Sequence, residues 1–380
     1  MSIPASLEHP LPAGMRDLLP EEARSRRRIA RQVLSSFALF GYATVTPPAF
    51  EFADVLERGL GTLDPADVLR FVEPESGEVA ALRPDMTPQI ARMIATRLRD
   101  RPPPYRLSYE GTVVRRRSGR ARKSRQIPQV GIELAGLRDV AGDLEILEVA
   151  TSALAAAGLA HFTVDLGSSE VVRALLGDIV PPALMQAIAK KDELAIREEG
   201  VATGAAVDVL ARLVGLVGGR EALAEATGVV RGTAAEGPVA RLSALFDAAV
   251  RRGLPGTLSV DLAEVRGFAY YTGMIFQLFA PGPGEAIGGG GRYDELLARF
   301  GAPMPAVGFG VDLDNLAWAL RAAGVLEKDE ERVVVVGAAD DPRLTELRAK
   351  GIAAVASPTR EEAEVYKARW GYSSVLEGEG

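Results

Sequence analysis

The 380-residue chain is 47% hydrophobic and 25% charged, an ordinary globular composition with length for two or three domains. A formal net charge of −7 gives no overall attraction for nucleic acid, and the lack of cysteine excludes disulfides and thiolate chemistry. His9 and His161 are far apart, so no histidine or cysteine metal site is expected; no apolar run reaches the ~18 residues of a membrane helix, and no signal-peptide pattern opens the chain. A soluble cytoplasmic protein without a cofactor is the expectation.

Residues 11–17, LPAGMRD, read as a loop, and Pro20, Glu21 and Glu22 suit the first turn of a helix running to Phe40. Ile29, Val33, Phe37 and Phe40 recur on its buried face. A strand over Tyr42–Val45 ends at Pro47 and Pro48. LRFVEP and VAALRP, joined through Ser76 and Gly77, form a hairpin, and Asp85 and Thr87 stand at the entrance of a helix reaching Leu98. Capping explains that pair locally, yet a helix entrance facing a cleft also offers a carboxylate and a hydroxyl to a ligand.

YRLSYE, from Tyr105, reads as a strand, and seven of the eleven residues from Arg115 to Arg125 are basic, a run that repels itself and stays solvated unless an anion meets it. In the following strand, QIPQVGIELAG, alternation puts Gln129, Gly131 and Glu133 on one face. That is unusual for a core and suggests a polar pocket. Asp139–Leu159 is an amphipathic helix and His161–Leu166 a strand; residues 168–256 lose strand character and read as a helical insertion. Leu258–Asp261 is a strand, Tyr293–Phe300 a helix, AVGFGV a strand and Leu313–Ala323 a helix. The last 50 or so residues hold two β-α units with room for three strands.

Two stretches carry most chemistry. EVRGFAYYTG, Glu264 to Gly273, places a forked guanidinium and two tyrosines before the strand Met274–Phe279, and IGGGGRYD follows with four glycines, a second arginine and a third tyrosine. Spacing alone leaves two readings open: a ligand wall, or a β-hairpin whose turn needs glycine and whose tyrosines pad a core.

Taken together, these segments resemble the catalytic domain of a class II aminoacyl-tRNA synthetase of the histidyl type over roughly residues 10–325. YATVTPPAFE is similar to the first motif of that class, which builds a dimer interface; YRLSYEGTVVRRR through QIPQVGIELAG is similar to the second, and AVGFGVDLDNL to the third. VRGFAYYTG and GGGGRYDEL look like the two histidyl signatures. The fold implied is α+β: an antiparallel sheet flanked by helices, with a helical insertion and a small α/β carboxyl-terminal appendage, divided at 1–167, 168–256, 257–325 and 326–380.

By the same resemblance, Asp85, Thr87 and Gln129 stand where the family grips the amino group of histidine, Glu133 and Tyr270 where it reads the imidazole, and Arg266 where it meets the carboxylate, with Tyr271 closing the pocket. Asp85 and Met86 replace a glutamate and a glycine. The nucleotide side departs further: Ser108 is read at the position of an arginine that clamps the α-phosphate, and Asp314 and Asn315 replace a glutamate and the arginine for the γ-phosphate. The appendage is shorter than an anticodon-binding domain. Such a chain resembles the regulatory subunit of ATP phosphoribosyltransferase, which implies a non-catalytic protein that partners a short catalytic subunit, takes histidine as feedback effector and self-associates as a dimer within a hetero-oligomer. Nucleic acid and membrane are not expected partners, and a divergent histidyl-tRNA synthetase is the alternative.

Overall fold

The computed structural model describes residues 11–60, 68–116, 124–177, 180–200, 206–264, 271–325 and 331–377. Its chain divides into two compact units, one made of Met1–Asp17 and Arg26–Val325, the other of Leu18–Ser25 and Leu326–Gly380.

Helix α1 (Pro20–Leu39) begins at a proline whose missing N–H has no helical partner to lose, and buries Ile29, Val33 and Phe37. After β1 (Ala43–Thr44) come β2 (Phe50–Phe52), α2 (Ala53–Leu60), β3 (Arg70–Val72) and β4 (Val79–Leu82); the last three strands form a separate antiparallel sheet ordered β2-β4-β3. Then follow α3 (Thr87–Thr96), the long hairpin β5 (Tyr105–Val114) and β6 (Gln126–Ala135), α4 (Asp139–Ala156) and β7 (Thr163–Ser168). The insertion holds α5 (Ser169–Leu176), α6 (Pro182–Lys190), α7 (Glu193–Gly200), α8 (Ala206–Leu213), the two-residue β8 (Val217–Gly218), α9 (Arg220–Val229) and α10 (Glu236–Arg252). The first unit closes with β9 (Thr257–Asp261), β10 (Met274–Phe279), β11 (Gly288–Arg292), β12 (Ala306–Asp312) and α11 (Leu313–Ala322).

Nine strands build one sheet in the order β1-β5-β6-β12-β11-β10-β7-β9-β8. It is mixed rather than wholly antiparallel, because β1 runs parallel to β5 and β7 parallel to β9. One face is apolar: Val130, Ile132, Leu134, Phe276, Leu278, Val307, Phe309 and Val311 join the main core with Phe37 of α1 and Ile146 of α4. Phe37 meets Phe309 edge to face at 5.6 Å. The expected helix over Tyr293–Phe300 reduces to a 3-10 turn, Leu297–Phe300, and the four glycines of IGGGG lie within β11 rather than in the turn of its hairpin with β10.

In the second unit, β13 (Arg332–Val336), α12 (Pro342–Ala349), β14 (Ala353–Ser357), α13 (Arg360–Trp370) and β15 (Ser374–Leu376) form a parallel sheet ordered β14-β13-β15. Val333, Val335, Leu344 and Ala354 make its core.

Arg292 locks the end of β11 to α4. Its side chain is 7% exposed and donates to Asp143 Oδ1 (2.8 Å), Asp294 Oδ1 (3.0 Å) and the carbonyls of Leu137 and Asp139. The arginine of the glycine-rich stretch is therefore held in a structural network of ion pairs and carbonyls. Asp143→Ala leaves this guanidinium with Asp294 and two carbonyls as partners, and a loss of about 1–3 kcal/mol is expected in urea unfolding.

Candidate ligand-binding site

The opposite sheet face is paved with glycine. Across β5, β6, β12 and β11, Tyr109 pairs with Gly131 and Gly131 with Gly310, while Leu107 pairs with Glu133, Glu133 with Gly308 and Gly308 with Gly291. A Cβ on Gly308 would occupy the place of Glu133 Oε2, one on Gly131 would collide with the Tyr109 hydroxyl, and one on Gly291 would lie 2.9 Å from Tyr271 Cδ1. Bare backbone at these positions is what lets Glu133 and Tyr109 lie across the sheet.

Glu133 is 3% exposed, and its partners among the described residues are hydroxyls. Thr87 Oγ1 donates to Oε1 at 2.6 Å, and the Tyr293 hydroxyl donates to Oε2. Burial raises the Glu133 pKa well above the carboxylate range; the Asp85 charge adds to the shift and the Thr87 hydrogen bond opposes it. Tyr109, buried beside Thr87, is likewise raised, first by burial and then by the charges of Glu133 and Asp85. Asp85 Oδ1 accepts from the Thr87 backbone N–H at 3.1 Å, fixing the entrance of α3, and the half-buried Tyr271 ring lies 6.5 Å from Tyr293. The result is a buried carboxyl with a raised pKa, ringed by hydroxyls, over a flat floor.

The structure brings Asp85, Thr87, Glu133 and Tyr271 together. Gln129 lies on the same face, four residues from Glu133 along β6 and opposite Asp312 and Gly111. Arg266 and Tyr270 fall outside the described residues, as do residues 117–123 of the basic run. Two members were not expected there as ligands. Tyr109 is recognisable only once the β5–β6 register sets it against Gly131, and Tyr293 was noted as a third tyrosine without a role.

The nucleotide side needs one correction. Ser108 is 1% exposed and points to the other side of β5, its Oγ 3.1 Å from Thr44 Oγ1. An arginine there would not reach the cleft, so Ser108 is not a lost phosphate clamp. The arginine nearer the site is Arg115, whose Nε donates to the Pro84 carbonyl. In the third motif, Asn315 Nδ2 donates to the Ala286 carbonyl, and Asp314 accepts from Arg16 (2.9 Å) and Arg26 (2.6 Å). No group of three or more carboxylates or histidines among the described residues is placed to hold a metal, and no described helix is long and apolar enough to cross a membrane.

A family model described as histidyl-tRNA synthetase matches residues 14–316. Over nearly its full length the chain is 39% identical to an ATP phosphoribosyltransferase regulatory subunit of Moorella thermoacetica, covering 97% of this chain and 98% of that protein. The chain belongs to the ATP phosphoribosyltransferase regulatory subunits. Another regulatory subunit, from Geobacter sulfurreducens, is 39% identical over 89% of this chain and 79% of its own. A Bacillus halodurans structure titled as an ATP phosphoribosyltransferase regulatory subunit/histidyl-tRNA synthetase has a TM-score of 0.82 at 29% identity, with 97% of each chain covered. The fold extends to histidyl-tRNA synthetase from Nostoc sp. PCC 7120, with a TM-score of 0.78 at 22% identity over 97% of this chain and 91% of that one. Regulatory-subunit relatives thus support a non-catalytic member of a synthetase fold, and the divergent-synthetase alternative is not favoured.

A protonated carboxyl that must ionise on unfolding destabilises the fold as pH rises past its unfolded value. Glu133→Gln is therefore expected to raise the melting temperature at pH 8 by a few degrees and to do so less at pH 5, as read by calorimetry. Gly308→Ala should lower it at both pH values, since the added methyl and the Glu133 carboxyl cannot share one place.

Proposed function

We propose that the pocket at Glu133 binds free histidine, and that its occupancy passes end-product inhibition to a short catalytic subunit of ATP phosphoribosyltransferase in a cytoplasmic complex. The observation that carries this reading is the buried Glu133, hydrogen-bonded to Thr87 and Tyr293 on a glycine floor. Imidazole is planar and both donates and accepts, so a neutral carboxyl can serve either of its nitrogens. Thr87, Tyr109, Tyr293 and Tyr271 close around the ring, while Asp85 and Gln129 supply acceptors toward the α-amino group. Inhibition requires that histidine favour one state of the complex, and each tenfold preference is worth about 1.4 kcal/mol.

The protonation state gives the reading a sign that calorimetry can check. With Glu133 protonated in the free pocket and imidazole neutral above about pH 6.5, binding rearranges one proton within the pair and exchanges none with solvent. Affinity should be flat from pH 7 to 8 and fall up to tenfold per pH unit below about 6.5, where free histidine must shed a proton. A Glu133 already ionised would give the opposite trend, tighter binding as pH falls from 8 toward 6.5. Glu133→Gln should weaken binding by about 1–3 kcal/mol, because it leaves part of the imidazole hydrogen bonding unmet.

We also propose that the chain self-associates through the small sheet, where Phe50, Phe52, Phe71, Val72 and Val79 are all exposed and Phe50 meets Phe71 at 5.2 Å. Phe71→Glu should shift the sedimentation coefficient toward that of a monomer without loss of helical circular dichroism. An unchanged sedimentation profile would remove this surface from consideration.

A further inference from the structure

Helix α13 carries an apolar stripe that its own unit leaves uncovered. Of its 11 residues only Ala363 is buried and only Lys367 is half-buried, whereas a helix laid on a sheet normally buries about three or four residues in every two turns. Val365, Tyr366 and Trp370 are 46%, 39% and 47% exposed. Their rings are nevertheless held in place: Tyr366 lies 6.0 Å from Trp370 and 5.5 Å from Tyr372, and the Arg332 guanidinium sits 4.0 Å over the Tyr372 ring. An aromatic side chain already ordered while exposed loses little freedom when a partner covers it.

The charges beside the stripe say which partner fits. Glu362, Val365, Tyr366 and Arg369 recur at three, four and seven residues and so share one face of the helix. Glu362 and Arg369 are exposed, and neither side chain has an ion-pair partner among the described residues, whereas Glu364 and Lys367 pair with each other at 2.9 Å. An acidic first turn and a basic last turn suit the helix macrodipole, and they also make this face complementary to itself. Turned end for end about a two-fold axis between Val365 and Tyr366, Glu362 of each copy meets Arg369 of the other, with the valines and tyrosines enclosed between the two ion pairs. We propose that α13 pairs with the α13 of a second copy of this chain, antiparallel and in that register. One helix per copy buries far less than the roughly 1,200–2,000 Å² of a stable protein interface, so the contact is weak by itself and gains from any other that holds two copies together. It does not depend on what the Glu133 pocket binds.

The test is disulfide cross-linking of the full-length protein. The chain has no cysteine, so a single introduced one links only to its own copy. Under mild oxidation Val365→Cys should form a covalent dimer about tenfold faster than Thr345→Cys, an exposed control on α12. In the Val365→Cys background, Arg369→Glu sets like charges against each other and should slow linking about tenfold, and adding Glu362→Arg should restore it. Restoration by the second charge separates a lost contact from a damaged helix. Equal rates for Val365→Cys and Thr345→Cys overturn the proposal, and are the result if a different protein, or none, covers this face. A double charge variant that links no faster than Arg369→Glu alone overturns it as well.

Discussion

A buried carboxyl needs hydrogen-bond partners or it will not stay buried, and Glu133 obtains its partners from side chains that arrive from two separate parts of the chain. Thr87 comes from the entrance of α3, Tyr293 from just past β11, and the space to receive them from glycines in β6 and β12. Burial without a matching cation is costly for an ionised group, so the neutral form is the one this arrangement selects. The register of the central strands and the placement of α3 are thereby constrained together: a slip of one residue would turn Glu133 into the apolar core and bring Ile132 or Leu134 onto the polar face.

Regulation in a synthetase fold requires that binding stop short of chemistry and still be felt elsewhere. The third motif has given up its cation at Asn315, and Asp314 is held by Arg16 and Arg26, so this end of the sheet is closed by internal ion pairs. The fold relates closely to a synthetase, while the relatives of the chain are named as regulatory subunits of a transferase.

Much of this was legible in the sequence wherever periodicity alone decides. Alternation in β6 placed Gln129, Gly131 and Glu133 on one polar face, and the 3.6-residue recurrence in α1 marked its buried side, whereas α4, expected to be amphipathic, is buried on most sides. What failed depended on relations between strands. Arg292 and Tyr293 are adjacent, so one must turn to the core side and the other to the pocket, and only the pairing with β12 says which. Ser108 beside Tyr109 poses the same choice, and the motif reading put it on the wrong face. The mixed direction of the sheet was hidden for a related reason: β1 and β8, at two residues each, carry almost no pattern of their own.

A floor made of peptide planes has no side chains to reshape. Pockets walled by leucine or valine drift in selectivity one methyl at a time, but at Gly131, Gly291 and Gly308 the smallest step already lands on another group. Flat rings can lie against such a surface, while a branched aliphatic chain at the same depth would meet backbone on one side and tyrosine on the other. The shape of this floor is thus written into the main chain, where gradual evolutionary retuning has the least purchase.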